Sequence, residues 1–125
     1  MPRNSVIAVI DDDDSFRSAL LELLNSLEYD AHGFTSSEAF TGFHRSDKFD
    51  CVITDIHMPG MSGLDLARLL RSRGSKIPMI MITARAEPGL EARATASGAI
   101  CLLRKPFEAN AMIACLDTAL GARRE

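Results

Sequence analysis

Four apolar runs in this chain stop at side chains able to do polar chemistry. Val6–Ile10 ends at Asp11 and Asp12, Asp50–Asp55 ends at Asp55 itself, Ile77–Thr83 ends at Thr83, and Ile100–Leu103 is followed at once by Arg104, Lys105 and Pro106. Carboxylates gathered in one pocket repel each other, and at neutral pH they stay ionised only beside a cation. The donors on offer are oxygens, which suits Mg²⁺ or Mn²⁺ rather than Zn²⁺. Beside such an ion, a carboxylate at the tip of a rigid strand can attack phosphorus, and Asp55 is the best placed candidate. Thr83 and Lys105 would then stabilise charge on the equatorial oxygens. The chemistry these types and positions predict is metal-assisted transfer of a phosphoryl group to Asp55.

For these residues to meet, the runs must lie side by side and point the same way, because open parallel α/β sheets bind ligands outside the carboxyl ends of their strands. The rest of the sequence supplies such a frame. Short β-type runs alternate with longer helical ones, five pairs in all, which predicts a parallel sheet covered by helices on both faces. Val6–Ile10 is continuously apolar, as a strand buried on both faces requires. Phe16, Ala19, Leu20, Leu23, Leu24 and Leu27 recur at helical spacing and predict one inward stripe, with a cap supplied by Asp13 or Asp14. Tyr29–Phe34 reads as a second strand, and Thr35-Ser-Ser-Glu38 as a capping box before Phe40 and Phe43. Met58-Pro-Gly-Met-Ser-Gly63 is a turn, and the helix through Leu64, Ala67, Leu69 and Leu70 stops at Gly74. Pro88 fits the first position of an Ala-rich helix containing Ala92, Ala94 and Ala96. From Phe107 a last amphipathic helix carries Met112, Cys115, Leu116, Ala119 and Leu120, with Gly-Ala-Arg-Arg-Glu125 as a frayed end.

Composition agrees with one domain over 1–125. A chain of 125 residues with 46% hydrophobic and 25% charged residues buries roughly two-thirds of its unfolded surface. A formal net charge of −3 supplies no field to draw in nucleic acid. The apolar run near the N-terminus is too short for a signal-peptide core or a membrane span. Cys51, Cys101 and Cys115 form no CxxC pair and are odd in number, so we expect small buried hydrophobes in a reducing cytosol rather than disulfides or a zinc site.

Four motifs in this order resemble the receiver domains of bacterial two-component response regulators. They are Ile10-Asp-Asp-Asp13, Thr54-Asp55-Ile-His-Met-Pro-Gly-Met-Ser-Gly63, Ile82-Thr83-Ala84 and Arg104-Lys105-Pro106-Phe107, and the resemblance runs from about Val6 to the last helix. With Glu108 next, the sequence looks most like the nodulation/nitrogen-fixation type of regulator. The resemblance implies the flavodoxin-like doubly wound sheet of five parallel strands in the order 2-1-3-4-5 with five helices. It implies that Asp11, Asp12, Asp55 and the backbone carbonyl of His57 hold Mg²⁺. It further implies that Asp55 accepts a phosphoryl group from a sensor histidine kinase or phosphotransfer protein, that Thr83 and Lys105 contact that group, and that the bond before Pro106 is cis. The family usually has Tyr or Phe three residues before the lysine; here that position is Leu102, beside Cys101.

Plainer roles are expected elsewhere. His57 reads as a solvent-facing loop residue whose ring ligates nothing, His32 and His44 as surface residues, and Arg68, Arg71 and Arg73 as a solvated helix face. Met58, Met61, Met79, Met81 and Met112 read as core or interface filling. The resulting expectation is a cytoplasmic signalling switch that catalyses its own phosphotransfer and slow dephosphorylation, with a homodimer through the face from the fourth to the fifth helix as its expected partnership. Two rivals stand beside it: a docking module independent of phosphorylation, and a Mg²⁺-dependent aspartyl-phosphate phosphohydrolase. The second expects an acidic residue two positions after the nucleophile, where this chain has His57.

Overall fold

The computed structural model describes residues 5–43 and 48–124, so His44 lies outside the described residues. Among the described residues five strands alternate with five helices: β1 (Val6–Ile10), α1 (Asp14–Ser26), β2 (Asp30–Phe34), α2 (Ser37–Thr41), β3 (Cys51–Asp55), α3 (Gly63–Ser72), β4 (Met79–Thr83), α4 (Leu90–Ala96), β5 (Ala99–Arg104) and α5 (Ala109–Arg124). All strand pairs are parallel, in the expected order β2-β1-β3-β4-β5.

Side-chain alternation along the strands sorts the core into two layers. Ile7 and Val9 of β1, Ile53 of β3, and Ile80 and Ile82 of β4 pack against Leu20 and Leu24 of α1 and Met112, Leu116 and Ala119 of α5. Ala8, Ile10, Val52, Met79 and Met81 face the other way, onto Phe40 of α2, Leu64, Leu66 and Ala67 of α3, and Leu90 and Ala94 of α4. Both faces of the central strands are therefore dry, which is why their sequences read as unbroken apolar runs. At the β2 corner the rings of Phe34, Phe40, Phe43 and Phe49 meet edge-on or tilted, with centroids 5.4–6.1 Å apart. Met79, Met81 and Met112 are buried, and Met58 and Met61 pack against the core as filling.

Several local expectations are corrected. Ala19 and Leu27 are exposed, so the inward stripe of α1 is narrower than its apolar spacing implied. Asp13 is the α1 cap, accepting from the Phe16 amide at 3.1 Å. The α2 cap is Ser36, not Thr35, and Glu38 closes no box: it reaches across the fold to accept from the Met61 amide at 2.9 Å. Pro88 precedes α4 rather than starting it, because the chain first turns through Glu87–Leu90 and reaches the helix from Gly89 at φ +79°. Ala94 faces the core while Ala92 and Ala96 face solvent. Gly74 sits past the end of α3 at φ +80°, as expected of a C′ residue. The helix α5 runs on through Arg124 instead of ending before Gly121.

The cysteine expectation fails more substantially. Cys101 on β5 and Cys115 on α5 form a disulfide with Cα atoms 6.0 Å apart, whereas Cys51 is free and buried. β5 is an edge strand with α5 lying over it, so two residues 14 apart in sequence are brought face to face without any short motif to announce it.

The turn after β3 is closed by a capping box. Ser62 accepts from the Asp65 amide at 3.1 Å, and Asp65 accepts from the Ser62 amide at 3.3 Å. We expect Ser62→Ala to lower stability by about 1 kcal/mol, read as a shift of the urea midpoint at unchanged slope.

Candidate functional site

A doubly wound sheet opens a crevice where its winding reverses, here between β1 and β3. The register sets what stands there. Ile10 pairs with Thr54, so the next residues along, Asp11 and Asp55, come level at the carboxyl edge. Thr83 pairs with Arg104 on the other side, and Lys105 follows, its amide bonded to the Thr83 carbonyl at 2.8 Å.

Asp11 and Asp55 are buried, at 1% and 7% exposure, whereas Asp12 is open to solvent. Their three carboxylates offer oxygens within 4.8 Å of one another. Lys105 is the cation between them, its Nζ 2.9 Å from Asp11 Oδ2 and 3.2 Å from Asp55 Oδ2, and 4.0 Å above the Phe16 ring centroid. Burial raises the Asp11 carboxyl above the ordinary carboxylate range, against the Asp13 amide and Lys105, which lower it, and the neighbouring Asp55 charge adds to the rise. For Lys105 burial alone would lower the ammonium, but hydrogen bonding to Asp11 and the charge of Asp55 outweigh it and the net shift is upward. One ammonium thus faces three acids, an excess of negative charge that an oxygen-loving divalent cation fits.

The remaining predicted residues hold different postures. The Thr83 hydroxyl is turned into its own loop, accepting from the Arg85 amide at 3.0 Å and facing the Arg85 carbonyl at 3.2 Å. The His57 amide donates to Asp55 Oδ1 at 3.1 Å. Its ring corrects the expectation of a solvent-facing residue: Nε2 stands 2.8 Å from Glu87 Oε1, at ion-pair distance though not aligned as a hydrogen bond, and spans the loops after β3 and β4. The bond between Lys105 and Pro106 is cis, as the resemblance implied. Leu102 lines a cavity of about 580 Å³ with Thr83, Pro88, Leu90 and Arg104.

Supporting residues had no sequence motif of their own. Arg17 donates to the Asp11 carbonyl at 2.8 Å and pairs with Asp14 at 2.6 Å, tying α1 to the acidic turn. Phe16 was legible only as a member of an apolar stripe, and Glu87 carried no signal in the sequence. Their contacts with Lys105 and His57 arise between segments far apart in sequence. His32 is a surface residue as expected, paired with Asp30 at 3.0 Å. Arg68 pairs with Asp65 at 3.3 Å, but Arg71 is more than a solvated side chain, since it donates to the Ser75 and Gly98 carbonyls at 3.2 and 3.0 Å.

Comparison with known proteins agrees with this geometry. Residues 7–117 match the family model described as the response regulator receiver domain. The chain is 37% identical over 125 residues to the transcriptional regulatory protein FixJ of Azorhizobium caulinodans, covering all of this chain and 59% of that protein. It is 35% identical over 121 residues to the transcriptional regulatory protein TdiR of Thauera aromatica, covering 97% of this chain and 53% of that one. The chain thus spans between half and three-fifths of the length of these relatives. Among solved structures, FixJ-N superposes with a TM-score of 0.87 at 28% identity, with 96% of each chain covered. The response regulator StyR superposes with a TM-score of 0.89 at 33% identity, over 98% of this chain and 62% of that one. With the sheet order, the acidic crevice and the family match in agreement, this chain belongs to the response regulator receiver domain family of two-component signalling.

Proposed function

We propose that residues 1–125 form one receiver domain in which Asp55 accepts a phosphoryl group from a sensor histidine kinase or phosphotransfer protein, and that the modification switches a partner surface. The observation that carries this is Lys105 held between Asp11 and Asp55 at 2.9 and 3.2 Å, with Asp12 open beside them. A carboxylate oxygen of Asp55 attacks phosphorus while the P–N bond of the phosphohistidine breaks, and the departing imidazole keeps the electron pair and takes up a proton. Lys105 neutralises an oxygen of the transferred group, and the His57 amide holds Asp55 in line. Asp11, Asp12, Asp55 and the His57 carbonyl would hold Mg²⁺, or Mn²⁺ in its place, which when bound offsets charge on the incoming phosphoryl group. Slow hydrolysis returns Asp55 to its carboxylate. The test is intact mass after incubation with an acyl-phosphate donor: a labile phosphoryl adduct forms with Mg²⁺ and does not form without it.

Thr83 leaves Arg85 to engage the new phosphoryl oxygens, drawing the loop after β4 with it. Leu102 takes the place of the usual aromatic beside the cavity into which that loop can settle, so the switch works through loop and α4 rather than a swinging ring. The surface so altered is the α4–β5–α5 face, and a second copy of the domain is its proposed partner. The names of the longer relatives, transcriptional regulators, support an output in gene control. A cytoplasmic place is proposed together with the phosphotransfer from a sensor kinase; among the described residues no helix is long and apolar enough to cross a membrane. With a net charge of −3, nucleic acid is not proposed as a partner of this domain alone. The phosphohydrolase reading has less support, since the position two after Asp55 is a histidine engaged by Glu87.

Metal binding has a signature apart from phosphorylation. At ten times its dissociation constant, Mg²⁺ should stabilise the domain by about 1.4 kcal/mol, a rise of roughly 5 °C in thermal midpoint. The rise should shrink as pH falls through the Asp11 value, which lies above that of an ordinary carboxylate, because protons then compete for the ligand. Without metal the sign reverses. A buried acid whose value is raised by folding costs stability above that value, and the cost is relieved as pH falls through it. Thermal melts at a series of pH values, with and without Mg²⁺, read both effects.

A further inference from the structure

We propose that Cys101 and Cys115 are a reversible thiol–disulfide modification site, a latch that clamps α5 to the edge strand β5 and takes a small-molecule disulfide of the glutathione class as its oxidant. Their sulfurs are bonded across the β5–α5 packing with Cα atoms 6.0 Å apart, inside the span a disulfide needs without moving backbone. Cys101 is half-buried on a strand that pairs on one side only, and Cys115 is 7% exposed, so Cys101 is the more open of the two residues and the one assigned the first exchange. Cys51 takes no part: it lies in the middle of the sheet, fully buried, where burial pushes its thiol up to about 12.

The chemistry balances with the named oxidant. The Cys101 thiolate attacks one sulfur of the small disulfide, whose S–S bond breaks and releases one small thiolate. The Cys115 thiolate then attacks the Cys101 sulfur of the mixed disulfide, forming the Cys101–Cys115 bond and expelling the second small thiolate. The two thiols of the protein give up two protons and two electrons, and the oxidant leaves as two thiols. In a reducing cytosol the pair rests as thiols and closes only when the poise turns oxidising.

The latch lies where it matters if the receiver reading above holds, on which this consequence rests. Cys101 adjoins Leu102 at the cavity beside Thr83, and its strand leads into Lys105. A closed bond ties β5 to one of the helices of the proposed output face and damps its rearrangement on phosphorylation.

The test equilibrates the chain in a series of glutathione redox buffers, quenches with acid, alkylates under denaturation and reads intact mass. The latch expects one alkylated thiol at the oxidising end, three at the reducing end, and interconversion between them. It also expects a thermal midpoint higher by on the order of 10 °C in the oxidised chain, from closing a loop of this length, and slower amide exchange along α5. Cys101→Ser, at the more exposed position, should lose both effects. Three alkylated thiols in every buffer would overturn the proposal, as would a bond that forms yet leaves α5 exchange and the midpoint unchanged. Failure of the receiver reading is seen separately, as absence of a phosphoryl adduct on Asp55 in both redox states, and the thiol count and exchange still judge the latch.

Discussion

Asp55→Asn is expected to fold as the wild type does and to take up no phosphoryl group under any donor or Mg²⁺ concentration. The carboxamide has no anionic oxygen to attack phosphorus, and nothing nearby replaces it: Asp11 is bonded by Lys105 and the Asp13 amide, and Asp12 stands at the open side of the crevice. The fold should survive because the substitution removes one of two buried carboxylates whose charges oppose each other, while its remaining oxygen still accepts from the His57 amide. Stability in the absence of metal should therefore stay within about 1 kcal/mol of wild type, because relief of that repulsion offsets the weaker attraction to Lys105. Intact mass after incubation with an acyl phosphate, beside a urea melt of the same preparation, separates loss of chemistry from loss of fold. An adduct of equal yield on the variant would place the acceptor elsewhere and remove the basis of the proposed function.

A methyl group at Gly63 should do damage of a different kind. Gly63 begins α3, where alanine ordinarily favours a helix by up to about 1 kcal/mol over glycine. Here an added Cβ would stand 2.6 Å from the Asp55 backbone carbonyl oxygen and 3.2 Å from both the Ile56 Cα and the Thr54 Cγ2. Two of those three neighbours are backbone, so the start of α3 or the tip of β3 must move. We expect Gly63→Ala to cost about 2 kcal/mol net of the helix gain, a fall of roughly 8 °C in thermal midpoint, and to slow phosphorylation by displacing Asp55. Gly121→Ala is the control. It lies in α5 with nothing among the described residues within 4 Å of the added Cβ, and should stabilise by up to about 1 kcal/mol. If both substitutions stabilise, the close approach of α3 to the tip of β3 is wrong.

The five strands, their parallel arrangement and the residues at their ends were legible because each signal is local. A strand buried on both faces must be apolar throughout, and a reactive side chain at its tip must be polar, so Ile10 to Asp11 or Ile82 to Thr83 marks a boundary and a candidate site together. The inward face of α5 was readable for the same reason, from the spacing of Met112, Cys115, Leu116, Ala119 and Leu120. Where two local signals competed, the spacing misled. Ala19 and Leu27 fit the stripe of α1, but the sheet covers only part of the helix circumference, and residues at the margin of the stripe stay wet. Pro88 suits a first helical turn, yet the chain needs one more turn through Gly89 before α4 can lie back on the sheet.

The sequence by itself determined which residues could do the chemistry, since charge, nucleophilicity and donor type belong to the side chains of Asp11, Asp12, Asp55, Thr83 and Lys105 wherever they lie. It also determined their order along the chain and, through hydrophobic period, the elements that end in them. Only the tertiary structure decided the pairings across long sequence separations: Lys105 between Asp11 and Asp55, Phe16 beneath it, Glu87 against His57, Glu38 on the Met61 amide, and Cys101 bonded to Cys115. Such contacts follow from strand register and from how helices lie across the sheet. A one-residue slip in register would turn every side chain of a strand to the opposite face, and that register is set by the packing of the whole core rather than by any short stretch of residues.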